Sequence, residues 1–135
     1  MPFTIENKEE SVIKIVINKT ITLDELKKIL GIFTRVFTTK KYFAFYVDCN
    51  FTEVPNDITQ QTKYLLTWLN QSKAELTEYL QASCLILKSG IVEAAFSNLF
   101  KIYKTVKPNY ITTNYKLGEE FVLDIMRNYK NIKKI

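Results

Sequence analysis

Residues 42–48 read Tyr-Phe-Ala-Phe-Tyr-Val-Asp, and this run decides the fold. Five of its seven residues are aromatic or β-branched, the types that favour an extended backbone. The apolar residues are continuous rather than alternating, which is typical of a strand that is buried on both faces of its sheet. The run therefore predicts a central strand that is covered on both sides.

Toward the N-terminus, the pattern predicts a strand hairpin followed by a helix. Residues 3–7 and 11–18 predict the two strands, because both segments are rich in β-branched and apolar residues around a polar turn. The helix is predicted over residues 22–39, and Thr22 and Glu25 stand at the spacing of a capping box. Gly31 inside this helix costs about 1 kcal/mol relative to alanine, which suggests that it allows a close contact.

Toward the C-terminus, strand patterns alternate with helix patterns. The expected elements are a helix over 58–80, a strand over 82–87, a helix over 90–106, a strand over 110–113 and a helix over 117–129. The helix over 58–80 has a weak polar patch, Asn70-Gln-Ser72, at which it can bend. The helix over 90–106 has apolar residues on more than one face, and Pro108 stops it.

The resulting order, ββαβαβαβα, predicts an α/β domain. Buried strands that alternate with helices call for a mostly parallel sheet with right-handed crossovers. The opening hairpin must then add one antiparallel strand at or near an edge. We expect a single domain over residues 1–135 with one mixed sheet of about five strands and four helices. Residues 131–135 are expected to form a frayed tail.

The composition excludes several kinds of chemistry. The chain of 135 residues is 47% hydrophobic, which is enough for one buried core, and it contains no histidine. Histidine-based catalytic triads, zinc sites and proton shuttles are therefore excluded. Cys49 and Cys84 are 35 positions apart and match no metal-binding spacing, so we interpret them as small apolar side chains in a reducing compartment. No metal and no cofactor is expected.

Charge and hydropathy bear on location and on partners. The N-terminus turns acidic within its first ten residues, and no apolar run approaches the ~20 residues that span a bilayer, so we predict a cytoplasmic protein without a signal peptide or transmembrane segment. Residues 88–135 hold nine basic and four acidic side chains, which accounts for the net charge of +5. Only two of the nineteen basic residues are arginine, the usual reader of bases, so this part is interpreted as a solvated basic surface and nucleic acid is not the expected partner.

The order of elements resembles the SpoIIAA-like group, which includes STAS and SEC14-type domains. The residues that carry the resemblance are the strand ends Val47-Asp48 and Lys88-Ser89, the segment Pro108-Asn-Tyr-Ile-Thr and the helix start Leu117-Gly-Glu-Glu-Phe-Val-Leu. The match covers nearly the whole chain, mostly as element order and hydrophobic pattern. It implies a SpoIIAA-like fold and a regulatory, non-catalytic role.

The chain departs from that group at its best-known motif. STAS domains that act as anti-sigma-factor antagonists carry Asp-Ser-Ser/Thr-Gly at the start of the helix after the central strand, and a serine there is phosphorylated. The corresponding stretch is Val54-Pro-Asn-Asp-Ile-Thr59, which has neither serine nor glycine. Thr59 keeps a hydroxyl and Asp57 a charge, but the phosphorylation switch of that class is not expected here.

Candidate site residues follow the strands, because open α/β sheets bind ligands beyond the carboxyl ends of their strands. The candidates for a partner or ligand face are Asp48, Cys49, Asn50, Asp57, Thr59, Lys88, Ser89 and Gly90. The amides of Ser89 and Gly90 could hold an anion at a helix N-terminus, with Lys88 adding charge. The alternative is that these residues only cap helices and form turns, which such residue types commonly do.

Three functions stay open. The leading hypothesis is a non-catalytic regulatory or interaction module that docks another protein through the loop 49–57 and the start of the following helix. The second is a domain that binds a small apolar or anionic ligand, or a lipid, between the long helix and the sheet. The third is a histidine-independent enzyme built on Asp48, Cys49 and Lys88. An enclosed apolar pocket would favour the second, an exposed Tyr64/Trp68 patch the first, and a homodimer is compatible with any of them.

Overall fold

A computed structural model describes residues 3–9, 11–51, 53–88, 90 and 109–133. The described strands are β1 (Phe3–Glu9), β2 (Val12–Ile17), β3 (Phe43–Cys49), β4 (Leu80–Leu87) and β5 (Asn109–Thr112). The described helices are α1 (Leu23–Thr38), α2 (Ile58–Gln71), α3 (Lys73–Tyr79) and α4 (Tyr115–Lys133). The helix predicted over 90–106 lies outside the described residues except for Gly90.

The five strands form one mixed sheet in the order β1-β2-β3-β4-β5. β1 pairs antiparallel with β2, with Phe3 opposite Ile17, and the other neighbouring strands pair in parallel. The mixed, mostly parallel sheet and the position of the hairpin strand at an edge are therefore confirmed. Because β2 to β5 run parallel to one another, their carboxyl ends all lie at one end of the sheet.

Helices cover both faces of the central strand, as the run at residues 42–48 predicts. Phe43 and Val47 of β3 belong to the apolar cluster that contains the buried residues of α1. Ala44 and Tyr46 point to the opposite face, where they pack with Val122 of α4. The alternation of side chains along a strand sends these residues to two separate cores.

The start of α1 has the predicted capping box. The Thr22 hydroxyl accepts a hydrogen bond from the Glu25 amide (3.3 Å), and the Glu25 carboxylate accepts one from the Thr22 amide (2.9 Å). Farther along, the Phe33 ring lies 4.7 Å from that of Phe45, centroid to centroid, so α1 is fixed on the sheet by aromatic contacts.

The long helix predicted over 58–80 is instead two helices and the first residue of a strand. α2 ends at Gln71, Ser72 has a φ of −99° and a ψ of 11°, and α3 begins at Lys73. The polar stretch that ends at Ser72 has little side-chain burial to hold a continuous helix across it, and Leu80 already belongs to β4. The last helix is longer than predicted, since α4 begins at Tyr115 and runs to Lys133.

Candidate functional site

Asp48 lies on the α4 face of the sheet, one residue before the end of β3. Its half-buried carboxyl has a raised pKa because burial disfavours the charged form, and nearby Lys14, Asn50 and Lys88 partly offset this effect. Of the residues predicted from sequence, the structure thus brings Asp48, Asn50 and Lys88 into one neighbourhood. The backbone N–H of Asn50 also donates a hydrogen bond to the Ile17 carbonyl (2.8 Å), which fixes the end of β3 beside that of β2.

Cys49 points to the opposite face from Asp48, because consecutive side chains of a strand alternate. It is 3% exposed and belongs to the core cluster under α1. Burial, reinforced by the charge of Asp48, raises the pKa of the Cys49 thiol to about 12. A catalytic cysteine needs an accessible thiolate near neutral pH, so this environment argues against the proposed nucleophile.

Asp57 links the starts of two helices. One carboxylate oxygen accepts a hydrogen bond from the Leu23 amide (3.2 Å) at the start of α1. The other accepts one from the side-chain amide of Gln61 (2.7 Å), which also donates to the Ile21 carbonyl (2.8 Å). The side chain of Asp57 is therefore occupied within the molecule.

The remaining predicted site residues are dispersed. Phe51 and Pro55 of the loop 49–57 are buried, which leaves little apolar surface there for a partner. Thr59 is exposed on α2, and Gly90 is exposed beyond Lys88. Ser89 lies outside the described residues, so the anion cradle of Ser89 and Gly90 stays a prediction.

A partly buried polar cluster, which the sequence did not predict, joins α4 to the sheet. The Tyr46 hydroxyl donates a hydrogen bond to a carboxylate oxygen of Glu119 (2.5 Å). The Tyr115 hydroxyl donates to the same oxygen (2.9 Å) and accepts one from the Lys14 ammonium (2.8 Å). Tyr46 is fully buried, so its hydroxyl requires this partner.

The electrostatics of this cluster follow from its hydrogen bonds. Burial, together with the hydrogen bond to Glu119, raises the pKa of Tyr46 well above its usual value of 10.0. The hydrogen bond to Tyr115 raises the pKa of Lys14. The Tyr46 hydroxyl and the Lys14 ammonium thus keep their protons at neutral pH, and the cluster acts as a fixed anchor for α4.

The cluster makes a stability prediction. Tyr46→Phe is expected to cost about 1 kcal/mol, the usual net value of one hydrogen bond. Glu119→Ala is expected to cost more, about 1–3 kcal/mol, because it leaves the buried Tyr46 hydroxyl without its acceptor. The double variant has no Tyr46 hydroxyl left to lose its acceptor, so its loss of unfolding free energy should be smaller than the sum of the two single losses. Urea unfolding of the four proteins measures this, and strictly additive costs would contradict the coupling.

An open groove runs between the edge strand β1 and helix α1, with a volume of about 770 Å³. Its floor is formed by Phe3 and Ile5, which pack against the core cluster under α1. Gly31 and Ile32 of α1 contribute to the wall. The groove is therefore largely apolar at its base and open to solvent above.

The rim of this groove is positively charged. Lys27, Lys28 and Arg35 of α1 line it, and all three are exposed. Among the described residues no acidic side chain lines it. We call the surface formed by Phe3, Ile5, Lys27, Lys28, Ile32 and Arg35 the basic groove. Residues 1–87 hold ten basic and ten acidic side chains, so the balanced total concealed this local cluster.

Tyr64 and Trp68, which the sequence offered as an exposed aromatic patch, are partly buried. Trp68 packs on Phe37 with 6.0 Å between ring centroids, and its indole N–H donates to the Thr34 hydroxyl (3.3 Å). Tyr64 is half-buried beneath the ammonium of Lys27 (5.2 Å to the ring centroid). These aromatic rings belong to the packing between α1 and α2, and the groove over β1 is open rather than enclosed.

In the part of the chain that the structure describes, no group of three or more potential ligands could hold a metal ion. Across the same residues, no helix is both long enough and apolar enough to cross a membrane. Comparison of the chain with protein-family models, with curated proteins and with solved structures gave no significant match. The function is therefore argued from the geometry of this molecule.

Proposed function

We propose that the protein is a non-catalytic interaction module of SpoIIAA-like fold that docks an acidic partner protein in the basic groove. The observation that carries this proposal is the pairing of an apolar floor, Phe3 and Ile5, with the exposed cations Lys28 and Arg35 on the rim. Lys27 also lines the groove, but its ammonium lies over the Tyr64 ring. Apolar contacts at the centre and charges at the rim are the usual arrangement of a protein interface. The rim cations would steer an acidic partner and reject a basic one.

The element order supports the fold assignment within this proposal. β2 to β5 are parallel neighbours in chain order, and the hairpin strand β1 lies at the edge, as the resemblance implies. The docking face differs from the one predicted by analogy. The loop 49–57 directs Cys49, Phe51 and Pro55 inward and uses Asp57 to link two helices, whereas the basic groove has side chains directed to solvent.

The openness of the groove favours a protein over a small molecule. Small-molecule sites bury most of the surface of their ligand in a closed cleft. A small ligand over Phe3 and Ile5 would keep one side in water, since the groove is open above them. A protein segment supplies its own cover, because the rest of the partner closes the groove.

The test is a comparison of two charge-reversed variants. The groove variant is Lys28→Glu with Arg35→Glu, and the control is Lys63→Glu with Lys73→Glu, which makes the same change in net charge at exposed positions of α2 and α3. Exposed substitutions of this kind change stability by about 0.5 kcal/mol or less, so all three proteins should fold. Each is treated with an amine-reactive cross-linker in native cell extract, and the cross-linked lysines are mapped by mass spectrometry.

We expect an acidic protein cross-linked at Lys27 or Lys28 in both the wild type and the control. The groove variant should lose that protein, because the attraction at the rim has become repulsion. The same partners on all three proteins, or a partner lost equally from groove variant and control, would refute docking in the basic groove. An anionic lipid retained in place of a protein would support the SEC14-like alternative instead.

A further inference from the structure

We infer that the partner enters the basic groove as an extended acidic segment and pairs with the outer edge of β1, the edge opposite β2, as a sixth strand. This inference rests on the proposed function and adds the conformation and sequence pattern of the segment. β1 is the first strand of the sheet, and among the described strands only β2 lies beside it. An edge strand presents backbone donors and acceptors that an added strand can use.

The regular part of β1 coincides with the floor of the groove. From Phe3 to Asn7 each residue has its own partner on β2, whereas the register shifts between Asn7 and Glu9. A shift of this kind distorts an edge and discourages pairing. The undistorted half of β1, which includes Phe3 and Ile5, is therefore both the half suited to pairing and the half that forms the floor.

The positions of the cations predict the pattern of the segment. Alternate side chains of an added strand would face α1, as Phe3 and Ile5 do. Lys28 and Arg35 are seven helical residues apart, or about 10 Å along α1. Strand residues four apart are separated by about 13 Å, a span that flexible side chains can match. We therefore expect acidic residues at positions i and i+4, with an apolar residue at i+2 over the floor.

The charges also argue against the other occupants. A second copy of the chain would bring its own Lys28 and Arg35 toward the same rim, where like charges repel. A helical segment could contact the cations but would leave the edge of β1 unpaired. An extended acidic segment can place its carboxylates beside the rim cations and hydrogen-bond its backbone to the edge of β1.

The test uses a fluorescein-labelled peptide with the sequence Thr-Glu-Thr-Ile-Thr-Glu-Thr-Val-Thr and its binding to the full chain by fluorescence anisotropy. The groove variant Lys28→Glu/Arg35→Glu should bind at least about tenfold more weakly than the wild type, which corresponds to about 1.4 kcal/mol. The control Lys63→Glu/Lys73→Glu should bind like the wild type. A peptide with lysine in place of glutamate should not bind.

Backbone methylation tests the strand pairing itself. In a strand, the N–H groups of alternate residues point to opposite edges, so one peptide is N-methylated at its even positions and another at its odd positions. Pairing with β1 requires that one of these peptides loses binding and the other keeps it. Equal binding by both, or equal loss by both, would overturn the strand model.

Failure of this inference can be told from failure of the proposed function. If the peptide does not bind, or binds without preference between the methylated forms, the extended segment is wrong. Docking in the groove still stands in that case if the cross-linked partner distinguishes the groove variant from the control. If the cross-linked partner also fails to distinguish them, the proposed function is wrong as well.

Discussion

Raising the pH from 9 to 12 is expected to destabilise the protein steeply, chiefly through its two buried thiols. Burial raises the pKa of both Cys49 and Cys84 to about 12, compared with an ordinary value of 9.0. Between these values the unfolded chain releases thiol protons that the folded chain retains, so the free energy of unfolding falls as the pH rises. The slope is at most about 1.4 kcal/mol per pH unit for each thiol. Below pH 9 the thiols contribute no such dependence.

The measurement is urea unfolding at several pH values between 8 and 11, followed by circular dichroism. Cys49→Ala and Cys84→Ala should each lower stability at neutral pH, because they leave small cavities, and each should also make the alkaline slope shallower. Tyr46, whose pKa is also raised, adds to the slope above pH 10 in all variants and so serves as a common background. A variant that carries both Cys49→Ala and Cys84→Ala should have the shallowest slope, and an unchanged slope in it would show that the thiols ionise freely in the folded protein.

Two glycine-to-alanine substitutions are expected to change stability in opposite directions. A β-carbon at Gly118 in α4 would lie 2.7 Å from Cγ1 of Ile86 and 3.0 Å from the sulfur of Cys84. Both neighbours are buried, so they must shift, and overpacking of this kind costs about 1–3 kcal/mol. The better helix propensity of alanine offsets about 1 kcal/mol of that cost. Gly118→Ala is therefore expected to destabilise by up to about 2 kcal/mol.

Gly31→Ala is expected to stabilise the protein by about 0.5–1 kcal/mol, because a β-carbon there meets no atom within 4 Å. The close contact expected at Gly31 from its position in a helix is wrong, and Gly118 is the glycine that allows one. Urea midpoints of the two variants and the wild type measure the difference. Two changes of the same sign would contradict the contact at Gly118.

The features that could be predicted from sequence depend on neighbours in the chain. The capping box of Thr22 and Glu25, the apolar run of β3 and the strand hairpin are all visible within a few residues. These patterns predicted an α/β domain, because a strand that is apolar on both faces must be covered on both faces. The polar stretch Asn70-Gln-Ser72 was identified as the place where the predicted helix can bend, and α2 ends there because few of its side chains are buried.

The candidate sites could be predicted only in part. The proximity of Asp48 and Lys88 could be predicted because the carboxyl ends of parallel strands meet at one end of the sheet. The inward direction of the Cys49 side chain follows from the alternation of side chains along β3 and could have been inferred from sequence. The hydrogen bond between the Leu23 amide and Asp57 depends on how α1 and α2 converge, and no local sequence pattern predicts that convergence.

The sequence by itself determined where the described strands, α1 and α4 lie and that β3 is central, because secondary structure follows from the spacing of apolar residues along the chain. Only the tertiary structure decided which polar groups meet. Lys14, Tyr46 and Glu119 come from three distant segments, and the basic groove forms where one side of α1 leaves β1 uncovered. Such contacts depend on strand register and helix placement, and these are set by the packing of the whole molecule.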